Sequence, residues 1–149
     1  MYIVSLIPAR GGSKGIKKKN IKQLKNKPLI AYSIEQSIKC PYINRTIVTT
    51  DDKEIATIAL EYGAEVPFYR PKNISQDLST DYEFFVHYLN FEKENSNKIP
   101  DLIVQLRPTC PIRTQEDLDK SVKIMIDNYN KYDSLRSVIK MTKSPYKMY

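Results

Sequence analysis

The chain has 149 residues, 41% of them hydrophobic, and a formal net charge of +7, which predicts a single globular domain over 1–149 with room for a real core. Lysines 14, 17, 18, 19, 22, 25 and 27 lie in one stretch without an acid, and the remaining 17 basic residues balance the 17 acidic ones; so local an excess argues against a nucleic-acid partner. No apolar run approaches the ~20 residues of a membrane span, no charged region precedes the short apolar start, and Cys40 and Cys110 have neither metal nor redox spacing, so a cytoplasmic protein with no membrane partner is expected.

Residues 2–7 read as a buried first strand that runs straight into the loop Pro8-Ala9-Arg10-Gly11-Gly12-Ser13-Lys14-Gly15-Ile16-Lys17-Lys18-Lys19-Asn20-Ile21. Glycines, a hydroxyl and several cations after a strand describe a polyphosphate cradle. Glycines allow φ > 0 and a close approach of N–H groups, and the cations neutralise charge. The spacing fits neither the P-loop nor the dinucleotide fingerprint. Residues 28–39 carry Ile30, Ile34 and Ile38 at helical spacing, with Pro28 suited to a first turn. A short β-branched strand is expected over 46–50. A helix follows over 53–62, with Ile55, Ile58, Ala59 and Tyr62 on one face and Gly63 as its stop.

Residues 65–69 read as another strand, and Arg70-Pro71 opens a polar loop to Leu78. A helix is predicted over 80–94 with Phe85, Tyr88 and Leu89 inward, then a buried strand over 101–106. Pro108 and Pro111 stiffen the turn that follows. Residues 115–131 carry Leu118, Val122, Met125, Ile126 and Tyr129 as one helical stripe, and 134–140 reads as a last strand. Strand–helix alternation with short connections implies a parallel sheet covered on both faces, with ligands at the carboxyl ends of the strands. The glycine loop, Thr49-Thr50-Asp51-Asp52 and the segment from Arg107 to Arg113 are therefore expected to meet at one crevice. No helix follows the last strand to cover the sheet, so the chain reads as truncated at its C-terminus.

Arg10 and Lys14 flank the glycines and Lys19-Asn20 follows, an arrangement that can hold phosphates from two sides and stabilise a leaving pyrophosphate. Of Asp51 and Asp52, one is expected to cap the next helix; either that is the whole role of the pair, or one carboxylate also faces the crevice and meets substrate or metal. Ser79 or Thr80 suits a cap for the helix after it. Gln105, polar within an apolar strand, needs a partner, which a bound base or sugar, or the backbone, can supply. His87 reads as packing or surface and Cys110 as a small core residue, and no Ser-His-Asp set can be assembled.

Together these motifs resemble the acylneuraminate cytidylyltransferase family, the CMP-sialic acid synthetases. The matching segments are 7–21 (family form I-P-A-R-G-G-S-K-G-I-P-x-K-N-I), Thr49 to Asp52 (S/T-T-D-D), Gly63 to Phe68 with Arg70-Pro71, Gln105 to Arg113 (Q-x-x-P-T-S-P-L-R), and 133–138. The resemblance implies an α/β, Rossmann-like three-layer nucleotide-diphospho-sugar transferase fold with a mainly parallel sheet. It also implies transfer of CMP from CTP to the anomeric hydroxyl of a nine-carbon α-keto acid sugar, of sialic, legionaminic or pseudaminic type, with release of pyrophosphate.

By that carry-over Arg10 and Lys14 are the catalytic residues. Ala9, Gly11, Gly12, Ser13, Lys19, Asn20, Arg70, Ser79 and Thr80 bind the nucleotide, and Gln105 and Lys147 meet the sugar. The family uses Mg²⁺ and forms a homodimer, with the metal-binding acidic pair and the dimer segment expected beyond residue 149. Lys17 stands where the family loop has proline, and Cys110 where it has serine. Two other readings stay open: a nucleotidyltransferase for another sugar and base, and a non-catalytic nucleotide- or polyanion-binding module.

Overall fold

The protein is described from a computed structural model covering residues 1–96 and 98–138. Its centre is β1 (Ile3–Pro8), whose apolar residues are Ile3, Val4, Leu6 and Ile7. Every residue of β1 up to Ile7 is buried, because β1 pairs on both sides and is covered on both faces. A short hairpin, β2 (Gln23–Leu24) and β3 (Lys27–Pro28), leads into α1 (Leu29–Lys39). Then come β4 (Arg45–Thr49), α2 (Lys53–Glu61), α3 (Asp81–Asn95), β5 (Leu102–Gln105) and α4 (Gln115–Asp127). The main sheet has the order β4-β1-β5, all parallel. Its register sets Pro8 beside Thr49 and Leu6 beside Gln105.

The two-residue periodicity of β1 divides the core. Ile3 and Ile7 join Val48 and Leu106 under α1, α2 and α4, through Ile30, Ile34, Ile55, Ala59, Leu118 and Val122. Val4, Leu6 and Ile47 meet Phe84 and Tyr88 of α3 on the other face. This is the three-layer α/β arrangement with a mainly parallel sheet expected from the sequence. Ser5 faces α1, where its hydroxyl bonds Ser37, which in turn bonds Thr46 Oγ1 at 2.6 Å. These buried hydroxyls satisfy one another between β1, α1 and β4. No described helix is long and apolar enough to cross a membrane.

Several expectations are corrected. Residues 65–69 form only two isolated parallel bridges, Glu65 to Ile47 and Tyr69 to Thr50. Pro67, without an N–H, interrupts the ladder between them. Residues 134–138 are exposed and form no strand among the described residues, and 139–140 lie outside the described residues. The fourth helix ends at Asp127, with Asn128 as its cap, instead of running to 131. The hairpin, unforeseen, turns through Lys25 and Asn26, both at positive φ, the geometry that matches strand twist. Ile38, expected to pack, is 53% exposed.

The inward face of α3 is Phe84, Tyr88 and Glu92, with Phe85 and Leu89 only half-buried. Glu92 is 1% exposed because Arg45 Nη1 reaches it at 3.0 Å and Ser96 Oγ donates to its other oxygen at 2.5 Å. The same guanidinium forks onto the more exposed Glu65 at 2.7–3.1 Å.

Those two carboxylates should respond very differently to substitution. Arg45→Met leaves Glu92 buried and unpaired and is expected to cost about 3 kcal/mol or more. Glu65→Gln removes only an exposed partner and should cost less than about 1 kcal/mol. Urea unfolding of the two variants measures the difference.

Candidate functional site

At the carboxyl edge of the sheet a cleft of about 370 Å³ opens between the glycine loop, the segment 70–81 and the turn after β5. Arg10, Ser13, Lys14, Lys19 and Asn20 form one wall. Arg70, Ser79 and Thr80 stand across from them, together with Gln76, Asp77 and Asp81. Phe84 and the turn Arg107-Pro108-Thr109 complete the lining.

The loop is held by side chains rather than by unusual glycine conformations. None of Gly11, Gly12 and Gly15 takes a positive φ; among the glycines that belongs to Gly63, at +86°, after α2. This corrects the expectation that the loop glycines use the left-handed region. Gly11 is small for another reason: a Cβ there would stand 2.6 Å from Asp52 Oδ2. Asp52 caps α2, accepting from the N–H groups of Glu54 at 2.8 Å and Ile55 at 3.1 Å. Asp51 accepts the Gly11 N–H at 2.9 Å. Both aspartates therefore act on the loop, and the one not capping the helix anchors its backbone. Asn20 is buried and donates to Arg10 O at 3.0 Å, closing the far end of the loop.

The backbone donors divide accordingly. Ala9, fully buried, gives its N–H to Thr49 O at 3.0 Å, and Ser13 gives its own to Gly11 O at 2.9 Å. The N–H groups of Gly12, Lys14 and Gly15 meet no protein acceptor among the described residues. A Cβ on Gly12 or Gly15 would meet nothing within 4 Å. Ala9, Gly11 and Gly12 thus stand beside the cleft, not on its wall.

The side-chain charges are paired in distinct ways. Arg10 Nη2 lies 2.8 Å from Asp77 Oδ1, and Lys14 pairs with the other oxygen of the same carboxylate. Lys14, backed by Arg10, holds the Asp77 carboxyl below the usual aspartate range. Arg70 is 6% exposed and meets no carboxylate directly among the described residues. It donates Nε to Thr49 Oγ1 at 3.1 Å and Nη2 to Thr49 O, and its guanidinium lies 5.2 Å from the centre of the Phe84 ring. Burial pushes its pKa down to about 10; Asp51 opposes that shift and Arg10 adds to it. Arg70 stays charged at neutral pH and presents a fixed cation to the cleft.

Gln105 finds a partner that neither of its expected options named. Its Nε2 donates to Asp81 Oδ2 at 3.0 Å, and Arg107 pairs with the same oxygen. Ser79 Oγ accepts the Gln76 N–H at 2.9 Å, and Thr80 caps α3, its N–H and hydroxyl both reaching Glu83. Arg113 turns inward instead of towards the cleft. It donates to Arg107 O at 2.8 Å, Cys110 O at 2.7 Å and Ser33 Oγ at 3.2 Å, stapling the proline turn to α1. Cys110 is exposed, not a core residue. His87 packs edge-on against Phe68, 4.7 Å between ring centres, and burial lowers its pKa. Lys147 lies outside the described residues.

A family profile described as cytidylyltransferase matches residues 4–148. The chain belongs to the cytidylyltransferase family. Pseudaminic acid cytidylyltransferase of Campylobacter jejuni is 36% identical over 132 residues, 89% of this chain and 56% of that protein. N-acylneuraminate cytidylyltransferase of Escherichia coli O18:K1:H7 is 33% identical over 142 residues, 95% of this chain and 32% of that protein. The chain thus spans about half the length, or less, of these relatives. Among solved structures, CMP:2-keto-3-deoxy-manno-octonic acid synthetase complexed with CTP superposes with a TM-score of 0.72 at 19% identity. It covers 87% of this chain and 49% of its own, a likeness of fold.

In this cytidylyltransferase-family chain the cleft carboxylates to which sequence reasoning gave no role are Asp77 and Asp81. Each carries a charge whose partner lies on a different element, so no local pattern marks it. Gly11→Ala should push the loop off the α2 cap. The expected result is a lower melting temperature together with weaker nucleotide binding. Gly15→Ala, with open space at its Cβ, should leave stability within about 1 kcal/mol of the unaltered chain.

Proposed function

We propose that this chain carries the CTP-binding part of an enzyme that transfers CMP to the anomeric hydroxyl of a nonulosonic acid, releasing pyrophosphate. The observation that carries the reading is the cleft at the sheet's carboxyl edge. There Arg10, Lys14 and the buried Arg70 line one cleft with Ser13, Gly15 and Lys19, and the backbone N–H groups of Lys14 and Gly15 beside them have no protein acceptor among the described residues. Such donors and fixed cations suit a triphosphate and the charge that develops as pyrophosphate leaves. The names of the two relatives support a nonulosonic acid as the acceptor.

In this reading Arg10 and Lys14 act on the phosphates and on the leaving group. Ser13, Lys19 and Asn20 hold the nucleotide, with Ala9, Gly11 and Gly12 shaping the loop behind it. Arg70, Ser79 and Thr80 line the base and ribose side, and Gln105, held by Asp81, serves the sugar; the family resemblance assigns Lys147, outside the described residues, to the sugar as well. The sugar's anomeric hydroxyl attacks the α-phosphorus in line and loses its proton to water, the bond from the α-phosphorus to the α–β bridging oxygen breaks, and pyrophosphate departs against the cations. A homodimer in the cytoplasm and one domain over 1–149 belong to the same reading.

Magnesium would neutralise the triphosphate in such a reaction. Among the described residues no group of three or more His, Cys, Asp or Glu side chains is placed to hold a metal. The cleft's two carboxylates, Asp77 and Asp81, are already paired with Lys14, Arg10 and Arg107. The described residues do not by themselves form a magnesium site.

Calorimetric titration of the full chain with CTP, ATP and GTP in the presence of Mg²⁺ tests the reading, and a clear CTP preference is the expected outcome. Equal, strongly salt-dependent affinity for all three and for nucleic acid would replace it with the polyanion-binding module. Lys14→Ala should lower turnover of CTP with a nonulosonic acid at least ~10²-fold, measured as pyrophosphate release. Turnover close to normal would remove Lys14 from the chemistry.

A further inference from the structure

We propose that Asp77 is a built-in counterion that occupies the place of a phosphate between Arg10 and Lys14, so that an incoming anion binds by displacing it. The inference rests on the phosphate-binding role given to those two cations above. Each Asp77 carboxylate oxygen serves one of the two cations, Oδ1 to Arg10 at 2.8 Å and Oδ2 to Lys14. A phosphate group presents the same pair of oxygens, and the two cations that would receive it are the ones Asp77 holds.

The carboxylate is delivered from the opposite wall by a loop whose shape is fixed internally. Ser75 Oγ donates to Pro71 O at 2.9 Å, Gln76 Nε2 to Lys72 O at 2.6 Å, and the Gln76 N–H to Ser79 Oγ at 2.9 Å. The backbone under Asp77 is thereby braced, while its side chain is 32% exposed and able to rotate away. The Lys14 side chain is 84% exposed, so water screens its pair with Asp77 and the contact exchanges readily. Arg70, by contrast, is held by Thr49 and Phe84 and keeps its place whichever anion is present.

The consequence is selectivity by charge and length. A single phosphate spans no more than the carboxylate it replaces and gains little by the exchange. A chain of two or three phosphates takes over both cations and still has oxygens left for the backbone donors of the glycine loop. Asp77 thus raises the threshold for mononucleotides and orthophosphate more than for polyphosphates. It is a positioning and specificity residue, and no bond is made or broken at it.

The test compares the full chain with its Asp77→Asn variant in calorimetric titrations of orthophosphate and of pyrophosphate. Removing the competing charge should tighten both, orthophosphate the more, by about three- to ten-fold as expected for exposed pairs, and so narrow the ratio between them. In a Lys14→Ala background the same change should yield a smaller gain. Unchanged or weaker binding of both anions overturns the proposal.

Carbon-13 NMR of the unaltered protein supplies a readout that does not depend on the variant's folding. Saturating pyrophosphate should return the Asp77 carboxylate towards the titration of an ordinary aspartate, whereas an unmoved resonance would refute the displacement. Because both probes are inorganic, these results stand apart from base preference. A chain that failed to prefer CTP would still confirm or lose the counterion on the Asp77 measurements alone.

Discussion

Parallel pairing of β1 with β4 and β5 requires all three strands to leave the sheet at the same edge. Where the ladder stops, backbone groups lose their strand partners and must be satisfied by loops. Pro8 is level with Thr49, so the glycine loop and the Thr50-Asp51-Asp52 turn emerge side by side. That proximity lets Asp51 take the Gly11 N–H, sets Asp52 against the Gly11 Cα, and gives Thr49 O to both Ala9 and Arg70. β5 adds the turn that carries Arg107. Without the register none of these groups has a reason to be near another.

The cleft built on that edge separates its cations by how firmly each is held. Arg70 is buried, hydrogen-bonded on one side and stacked near an aromatic ring on the other, and burial itself lowers its pKa. A buried cation facing no direct carboxylate carries an electrostatic cost that an anionic group nearby relieves. Arg10 and Lys14 are more exposed and share one carboxylate. Arg107 shares Asp81 with Gln105 at the other end. One fixed charge and two exchangeable clusters form a graded surface, with preorganisation where the field must not move and adaptability where a ligand enters.

The layers behind the cleft supply the rigidity. One face of the sheet is covered by α1, α2 and α4, and the other by α3, whose Phe84 packs beneath Arg70 and whose first residue is Asp81. A single helix therefore carries a core side chain, a cleft wall and the anchor for Arg107. The buried Glu92 at the far end of α3 ties the helix back to Arg45 at the start of β4.

The sequence by itself determined the helices whose apolar residues recur at 3.6-residue spacing, the first strand, the glycine loop and the family, because each is written in neighbouring residues. The order of strands and loops also led to the glycine loop and the turn at Arg107 meeting at one crevice, whereas Arg70, Ser79 and Thr80, which line the same cleft, were legible only through the family resemblance. Tertiary structure alone decided what depends on partners far along the chain. Glu92 turns inward because Arg45 meets it, a pairing that hydrophobic periodicity cannot register. The 65–69 segment makes bridges but no strand, since Pro67 removes one donor of the ladder. Gly11 is required by Asp52 and not by its own φ, and Asp77 gains its meaning from cations on the opposite wall. Local pattern reports burial and turn chemistry; the pairing of charges is a property of distance in space, which only the packed sheet and its loops establish.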